Sequence, residues 1–168
     1  RGTASLCGHD VATEPLQARQ HLAFVPDFPF LYDKLTPEEF LRFTGRLFRM
    51  AETETEIRLQ QLIERFHLKE HARKTIDTLS HGTRQRVALA AALLHDPRVI
   101  VIDEPMVGLD PQHARVVKDV LKERTREGAA VLLSTHQLAV AEEMADRIGI
   151  LHQGRLVAVG SRTQLAAL

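Results

Sequence analysis

The 168-residue chain has the length of one globular domain, because domains of roughly 100–200 residues are usual. Hydrophobic residues make up 44% of the chain and charged residues 26%, which is typical of a folded protein and excludes a low-complexity sequence. Lys and Arg together number 22, as do Asp and Glu, so the overall charge indicates neither nucleic acid nor an anionic membrane surface as a partner.

The single cysteine, Cys7, cannot form an internal disulfide, which fits a reducing compartment. The longest apolar run, residues 87–94, is far shorter than the roughly 20 residues of a membrane-spanning helix. The first residues also lack the charged and apolar regions of a signal peptide. We therefore expect any role at a membrane to depend on a partner.

Aliphatic and β-branched runs predict three buried parallel strands, at residues 21–25, 99–102 and 130–134. Between the second and third strands, Asp110 and Pro111 begin a predicted helix that ends before Gly128. A helix at residues 138–145 and a hairpin of residues 148–151 and 155–159 follow. The pattern predicts an α/β fold whose parallel sheet carries an antiparallel edge.

Residues 34–94 contain no convincing strand and predict a helical insert. Its first helix begins with Thr36 as N-cap, Pro37 at the first position and Glu39 completing a capping box. Further helices are predicted at residues 54–66 and 83–94. The predicted apolar face of the first helix consists of Phe40, Leu41, Phe43 and Leu47.

Two adjacent carboxylates, Asp103 and Glu104, follow the second predicted strand. Ligand sites in open α/β sheets lie at the carboxyl ends of the strands. In phosphoryl transfer one carboxylate helps to hold Mg²⁺, and a neighbouring group orients or deprotonates the attacking water. By themselves these residues support nucleotide chemistry and an ordinary acidic turn about equally.

The sequence Leu-Ser-His-Gly-Thr at residues 79–83, here called the Ser80 loop, leads directly into a predicted helix. The free N–H groups and the dipole of a helix start suit an anion, and Gly82 permits close approach. The alternative is an ordinary Ser N-cap, which is the commoner explanation for such a loop in isolation.

Taken in order, these motifs resemble those of the ATP-binding subunit of ABC transporters. Residues 24–27 resemble the Q-loop region, the Ser80 loop resembles the signature motif, and residues 99–105 resemble the Walker B strand. The Gly-Leu-Asp-Pro sequence at residues 108–111, here called the Gly108 loop, resembles the D-loop. His136, after Ser134 and Thr135, resembles the switch histidine, so the resemblance covers essentially the whole chain.

The resemblance implies an α/β P-loop NTPase fold of the ABC ATPase type, with an incomplete, mainly parallel sheet flanked by helices and an inserted helical subdomain. Residues 1–33 are then part of the ATP-binding core, residues 34–95 the helical subdomain, and residues 96–168 the rest of the core. The implied cofactors are ATP and Mg²⁺. The implied site residues are Glu104 and His136 for catalysis, Asp103 for the metal, and Ser80, Gly82, Asp27 and Asp110 for nucleotide binding.

The implied function is ATP binding and hydrolysis that powers substrate movement by a membrane permease. The implied partners are that transmembrane permease and a second ATP-binding subunit in a head-to-tail dimer, on the cytoplasmic face of the membrane, with no nucleic acid. Two alternatives remain open. One is a soluble ABC ATPase without a transport role, and the other is a non-catalytic binding module.

The chain departs from the family pattern in two ways. It contains no Gly-x-x-x-x-Gly-Lys-Ser/Thr phosphate loop, so we expect it to begin downstream of that loop and to be inactive by itself. Asp27 stands where the family usually has Gln, and His81 and Thr83 replace a Gly and the Gln of the commonest signature form. The change at Thr83 removes a possible capping-box partner for Ser80.

An aromatic cluster of Phe28, Phe30 and Tyr32 follows Asp27 at the junction between sheet and insert. In the resembled family this region receives a short helix of the membrane subunit, and aromatic anchors suit such an interface. The alternative is that these rings pack the insert onto the sheet, with Phe30 the strongest candidate for core packing.

Overall fold

The computed structural model describes residues 2–167, which form two compact units, one up to Ser134 and one from Thr135 onward. In chain order the elements are β1 (Ser5–Leu6), β2 (His9–Asp10), α1 (Pro15–Gln20), β3 (Leu22–Val25), α2 (Pro37–Leu47), α3 (Glu52–Arg65), α4 (His81–Leu93), β4 (Val99–Asp103), α5 (Pro111–Arg126), β5 (Ala130–Ser134), α6 (Leu138–Met144), β6 (Ile148–His152), β7 (Arg155–Gly160) and α7 (Arg162–Leu165). Short 3₁₀ turns at Lys69–His71 and Ile76–Thr78 complete the insert.

The centre of the first unit is a three-stranded parallel sheet in the order β3-β4-β5. Its register pairs Val25 with Ile102 and Asp103 with Ser134, so all three strands end at the same edge. This confirms the three predicted parallel strands and the crossover through α5, because sequential apolar strands joined by a helix pair in parallel.

Helix α4 is the most buried helix of the unit, and it packs against β3, α2 and α3. Its alanine-rich faces allow close approach on several sides, which explains why its apolar residues show no single stripe. The core around α4 consists of side chains that are almost completely inaccessible to solvent: Leu89 of α4 and Leu94 after it, Leu41 of α2, Leu59 of α3, and Phe66 directly after α3. The insert therefore shares its core with the sheet through α4.

The start of α2 agrees with its sequence in detail. The Thr36 hydroxyl accepts a hydrogen bond from the backbone N–H of Glu39, and the Glu39 carboxylate accepts one from the backbone N–H of Thr36 at 2.8 Å. The predicted apolar face is only partly correct. Leu47 is 64% exposed, whereas Thr44 and Gly45 are buried, and Gly45 lies directly against Thr55 of α3.

Three other expectations need correction. The predicted strands begin at residue 21, but Ser5–Leu6 already forms a short strand that pairs antiparallel with β2. The short helix α1 has no counterpart in the prediction. Strands β6 and β7 form their own two-stranded sheet instead of an edge of the parallel sheet.

In the second unit, β6 and β7 meet at a tight turn, where Gln153 and Gly154 both have positive φ values, of 49° and 76°. That backbone conformation is the one that two-residue hairpins favour, so the predicted turn is confirmed.

No helix in residues 2–167 combines the length and the apolar run that crossing a membrane requires. The division into core, helical subdomain and core stays a prediction.

Candidate functional site

The carboxylate of Asp103 is held at the end of β4 by the neighbouring strand. Asp103 is paired in register with Ser134, the last residue of β5, and the Ser134 hydroxyl donates a hydrogen bond to Asp103 Oδ1. A carboxylate that accepts one such bond keeps its second oxygen for another partner. Sequence reasoning did not assign this role to Ser134, although adjacent parallel strands that end together are a signal for it.

Glu104 begins a tight turn directly after β4. Its φ value is +46°, and its backbone N–H donates to the carbonyl of Ser134 at 3.0 Å. The backbone N–H of Val107 in turn donates to the carbonyl of Glu104 at 3.2 Å. Non-glycine residues rarely adopt positive φ, and such conformations concentrate at functional sites. The structure thus places both predicted carboxylates at the carboxyl edge of the sheet.

Asp27 follows β3 at the same edge, in a bend where it is half-buried. The next residue, Phe28, has its ring 6.2 Å from the ring of His81 at the start of α4. The segment after β3 and the Ser80 loop are therefore neighbours, although 53 residues separate Phe28 from His81 in the chain.

Ser80 is the N-cap of α4, and its hydroxyl oxygen accepts a hydrogen bond from the backbone N–H of Thr83 at 3.3 Å. The Thr83 hydroxyl lies 2.9 Å from the same oxygen. The loss of the signature Gln therefore does not leave Ser80 without a side-chain partner at the third helical position. The Thr83 hydroxyl is that partner, which the prediction based on a capping box did not include.

Arg86 lies behind this loop and is 5% exposed. Its Nη1 donates to the carbonyls of Phe66 and His67, at 2.7 and 2.9 Å, and its Nη2 donates to Thr83 Oγ1 at 3.1 Å. Burial lowers the pKa of the Arg86 guanidinium, because desolvation disfavours a charge. Sequence reasoning missed Arg86, since its position in a helix resembles that of any surface arginine.

The Ser80 loop and the Gly108 loop touch through their backbones. A Cβ atom built at Gly82 would lie 2.5 Å from the carbonyl oxygen of Gly108, which no side chain at position 82 tolerates without movement of a backbone. Gly82 is thus needed for the contact between the two loops, as well as for any anion that the helix start binds.

Asp110 is the N-cap of α5 and accepts hydrogen bonds from the backbone N–H of His113 at 3.0 Å and from His113 Nδ1 at 2.5 Å. Both bonds lower the pKa of the Asp110 carboxyl because they favour its charged form, and the bond from the His113 backbone has the larger effect. The His113 ring also meets the ring of His67 edge-on, with centroids 5.8 Å apart. His113 is a further residue that sequence reasoning missed.

His136 belongs to the second unit, in the loop that precedes α6. Its side chain is exposed there, and the hydroxyl of the preceding Thr135 accepts a hydrogen bond from the backbone N–H of Gln137 at 3.1 Å. That bond holds the chain in a turn around His136, the arrangement that Ser and Thr side chains commonly make in loops.

The carboxyl edge of the sheet fits a magnesium ion. Mg²⁺ in nucleotide sites is held by one or two carboxylates together with water and phosphate oxygens, not by a cage of protein ligands. Asp103 offers one oriented carboxylate at this edge, which suits a metal whose other ligands are water and phosphate oxygens.

Comparison with known proteins adds to this geometry. The sequence model of the ABC transporter family matches residues 1–107. A solved structure described as the ATP-binding subunit of an ABC transporter superposes with a TM-score of 0.93, at 36% sequence identity, over 99% of this chain and 70% of that chain. The α/β fold of an ABC ATPase, with its sheet incomplete, is thereby confirmed.

Curated relatives agree with the family match. The chain is 33% identical to the linearmycin resistance ATP-binding protein LnrL of Bacillus subtilis, over 99% of this chain and 53% of that protein. It is 35% identical to the daunorubicin resistance ATP-binding protein DrrA3 of Streptomyces coeruleorubidus, over 99% of this chain and 52% of that protein. A Nod factor export ATP-binding protein of Burkholderia lata is 36% identical, with 95% and 53% covered. The chain thus spans about half the length of these relatives.

Proposed function

The chain belongs to the ABC transporter family, and we propose that it supplies most of the ATP-binding and ATP-hydrolysing subunit of a transporter. The observation that carries this proposal is the carboxyl edge of the sheet, where Ser134 orients Asp103 and the strained backbone of Glu104 follows directly. An oriented carboxylate next to a second carboxylate is what nucleotide hydrolysis requires at the end of a buried strand.

Within this proposal the two carboxylates have different roles. Asp103 holds the Mg²⁺ that accompanies ATP, and the ion neutralises charge on the phosphates when it is bound. Glu104 accepts the proton of the attacking water, the role of a general base. His136 contacts the γ-phosphate, and Asp27 takes the Q-loop position near the nucleotide.

Nucleotide contacts from the second subunit involve another part of the chain. Ser80 and Gly82 meet ATP held by a partner in a head-to-tail dimer, because the helix start at α4 offers free N–H groups and Ser80 is exposed. Asp110 lies between the two nucleotide sites of that dimer. The contact between Gly82 and Gly108 supports the joint movement of these loops on dimer formation.

The proposed membrane partner is a permease that contacts the aromatic cluster. Phe28 and Phe30 are 75% and 97% exposed, and Phe30 borders an apolar groove between β3 and the insert that Phe24, Phe40 and Phe48 also line. The idea that Phe30 is a core residue is wrong. This surface suits a short apolar helix of a permease, so the location that goes with this proposal is the cytoplasmic face of the membrane.

The names of several relatives favour export as the direction of transport, since two are named for drug resistance and one for Nod factor export. We therefore propose that the transporter moves its substrate out of the cell. Inside-out membrane vesicles with the complete transporter should accumulate substrate on addition of ATP, and uptake only into right-side-out vesicles would exclude export.

The proposed function is tested by Glu104→Gln in the full-length protein in which this chain occurs. This change keeps the size of the side chain and removes the base, so we expect ATP binding to persist while turnover falls about 100-fold or more. Unchanged turnover would exclude Glu104 as the base, and a parent protein without MgATP hydrolysis would exclude the proposal.

The 168-residue segment provides the comparison in the same assay. Its sequence holds no Gly-x-x-x-x-Gly-Lys-Ser/Thr motif, whose N–H groups, lysine and hydroxyl cradle phosphates. We expect the isolated segment to bind MgATP weakly and not to hydrolyse it. Micromolar affinity in isothermal titration calorimetry would contradict this expectation.

A further inference from the structure

A continuous line of hydrogen bonds runs from the buried Arg86 to the exposed Ser80. Arg86 Nη2 donates to Thr83 Oγ1 at 3.1 Å, and Thr83 Oγ1 lies 2.9 Å from Ser80 Oγ. Thr83 and Arg86 are 4% and 5% exposed, whereas Ser80 is exposed. The line therefore leads from the interior of the insert to the surface of the Ser80 loop.

The direction of the first bond is settled by chemistry. A guanidinium has only donors, so the Thr83 hydroxyl accepts from Arg86. The guanidinium itself cannot turn away easily, because its Nη1 donates to the carbonyls of Phe66 and His67 at 2.7 and 2.9 Å. Arg86 is thus a fixed donor at the inner end of the line.

The direction of the second bond follows from burial. The Thr83 hydroxyl carries one proton of its own, and in the described part of the chain its hydrogen-bond partners are Arg86 and Ser80. If Ser80 donated to Thr83, the Thr83 proton would have no acceptor in a buried position, which is unfavourable. Thr83 therefore donates to Ser80 Oγ.

Ser80 Oγ then accepts two hydrogen bonds, one from the Thr83 hydroxyl and one from the Thr83 backbone N–H at 3.3 Å. A hydroxyl has two acceptor positions and one proton. With both acceptor positions in use, the Ser80 proton is left to donate away from Thr83, toward solvent or a ligand. A phosphate oxygen is an acceptor without a proton to offer, so it matches this hydroxyl.

We propose that Thr83 and Arg86 are positioning residues that fix the Ser80 hydroxyl as a hydrogen-bond donor to a phosphate oxygen of MgATP. The proposal rests on the proposed function and adds to it the way in which Ser80 is prepared. Thr83 performs this task where the commonest form of the motif has Gln. Neither residue touches the nucleotide in this arrangement, and both act through Ser80.

The test measures the MgATP concentration that gives half-maximal dimer formation, by analytical ultracentrifugation of the full-length protein carrying Glu104→Gln. In that background we expect Ser80→Ala and Thr83→Val each to raise this concentration about tenfold or more, the effect of losing one hydrogen bond to a charged group. The double variant should be no worse than Ser80→Ala, because Thr83 acts only through Ser80.

Two comparisons separate positioning from stability. Thr83→Ser keeps the hydroxyl and should match the parent, whereas Thr83→Ala should behave as Thr83→Val does, and this pair carries the test if the valine variant does not fold. Thr55→Val is the matched control, because Thr55 is 6% exposed and its hydroxyl donates to the carbonyl of Ala51 at 3.0 Å, away from the Ser80 loop. It should match the parent.

Several outcomes overturn the proposal. If the fold-increases in this MgATP concentration caused by Ser80→Ala and Thr83→Val multiplied in the double variant, Thr83 would act independently of Ser80. Equal effects of Thr83→Val and Thr55→Val would mean a general loss of stability. A Thr83→Ala protein that dimerises as the parent does would remove Thr83 from the site. A parent protein that forms no dimer with MgATP would overturn the proposed function, and this inference with it.

Discussion

The imidazole of His81 occupies the space beside Gly108 that a side chain at position 108 would need, since a Cβ atom built at Gly108 would lie 2.3 Å from His81 Cδ2. His81 is the residue that replaces glycine in the commonest signature form, and Gly108 has a φ value of +74°. The two loops of the site are thus fitted to each other through a side chain that this chain has in place of glycine.

Gly108→Ala should lower the free energy of unfolding by about 2–4 kcal/mol, since alanine would be strained at this φ and would also collide with His81. The matched control is Gly128→Ala, where φ is +99° but no atom lies within 4 Å of the added Cβ. That variant should be destabilised by the backbone strain alone, by about 1 kcal/mol. Urea denaturation measures both.

Replacement of His81 by Ala in the Gly108→Ala protein should raise its free energy of unfolding to about that of the Gly128→Ala protein. The replacement removes the collision with His81 and leaves the backbone strain. Gly82→Ala should gain nothing from the same replacement, since its collision is with the carbonyl oxygen of Gly108. Equal losses for Gly108→Ala and Gly128→Ala would contradict the contact.

Phe30→Ala should leave the melting temperature nearly unchanged and weaken co-purification with the permease, because the ring is 97% exposed and contributes little to the core. Tyr32→Ala serves as the comparison. Its ring contacts Phe43 edge-on at 5.2 Å and Phe40 at 6.2 Å, so its loss should cost about 1 kcal/mol of stability. Normal co-purification of the Phe30 variant would exclude this residue from the permease contact.

The stability of the protein should fall between pH 7 and pH 5 through His95. Burial lowers the pKa of His95 to about 4 from 6.5, and its ring is stacked on Phe48 with centroids 3.5 Å apart. Between these pKa values the unfolded chain binds a proton that the folded protein does not. The contribution of His95 is therefore complete above pH 6.5 and is lost as the pH falls toward 4.

His95→Gln is the control for this pH dependence, because an amide can still donate to the carbonyl of Leu22, which lies 3.2 Å from His95 Nε2. Its urea midpoint should fall less steeply between pH 7 and pH 5, with about one proton fewer taken up on unfolding. Carboxylates affect both proteins equally in this range. Identical slopes would show that His95 is not held neutral.

Local features of this protein could be predicted from its sequence because neighbouring residues determine them. Thr36 and Glu39 complete their capping box within one helical turn, and the turn at Gln153 and Gly154 needs only two positive φ values. The sequence also predicted β4 and the two carboxylates at its end. A strand buried on both faces is a run of apolar residues, so the polar residues that follow the run mark where the strand ends.

Contacts between distant segments were decided only by the tertiary structure. Ser134 reaches Asp103 because β5 pairs with β4 in one particular register, and a shift of one residue would separate them. Arg86 is a buried donor because α4 packs against α3, so that the carbonyls of Phe66 and His67 come within its reach. Hydrogen bonds of this kind depend on atomic separations of about 3 Å. No pattern of residue types along a chain specifies such separations before the elements have packed.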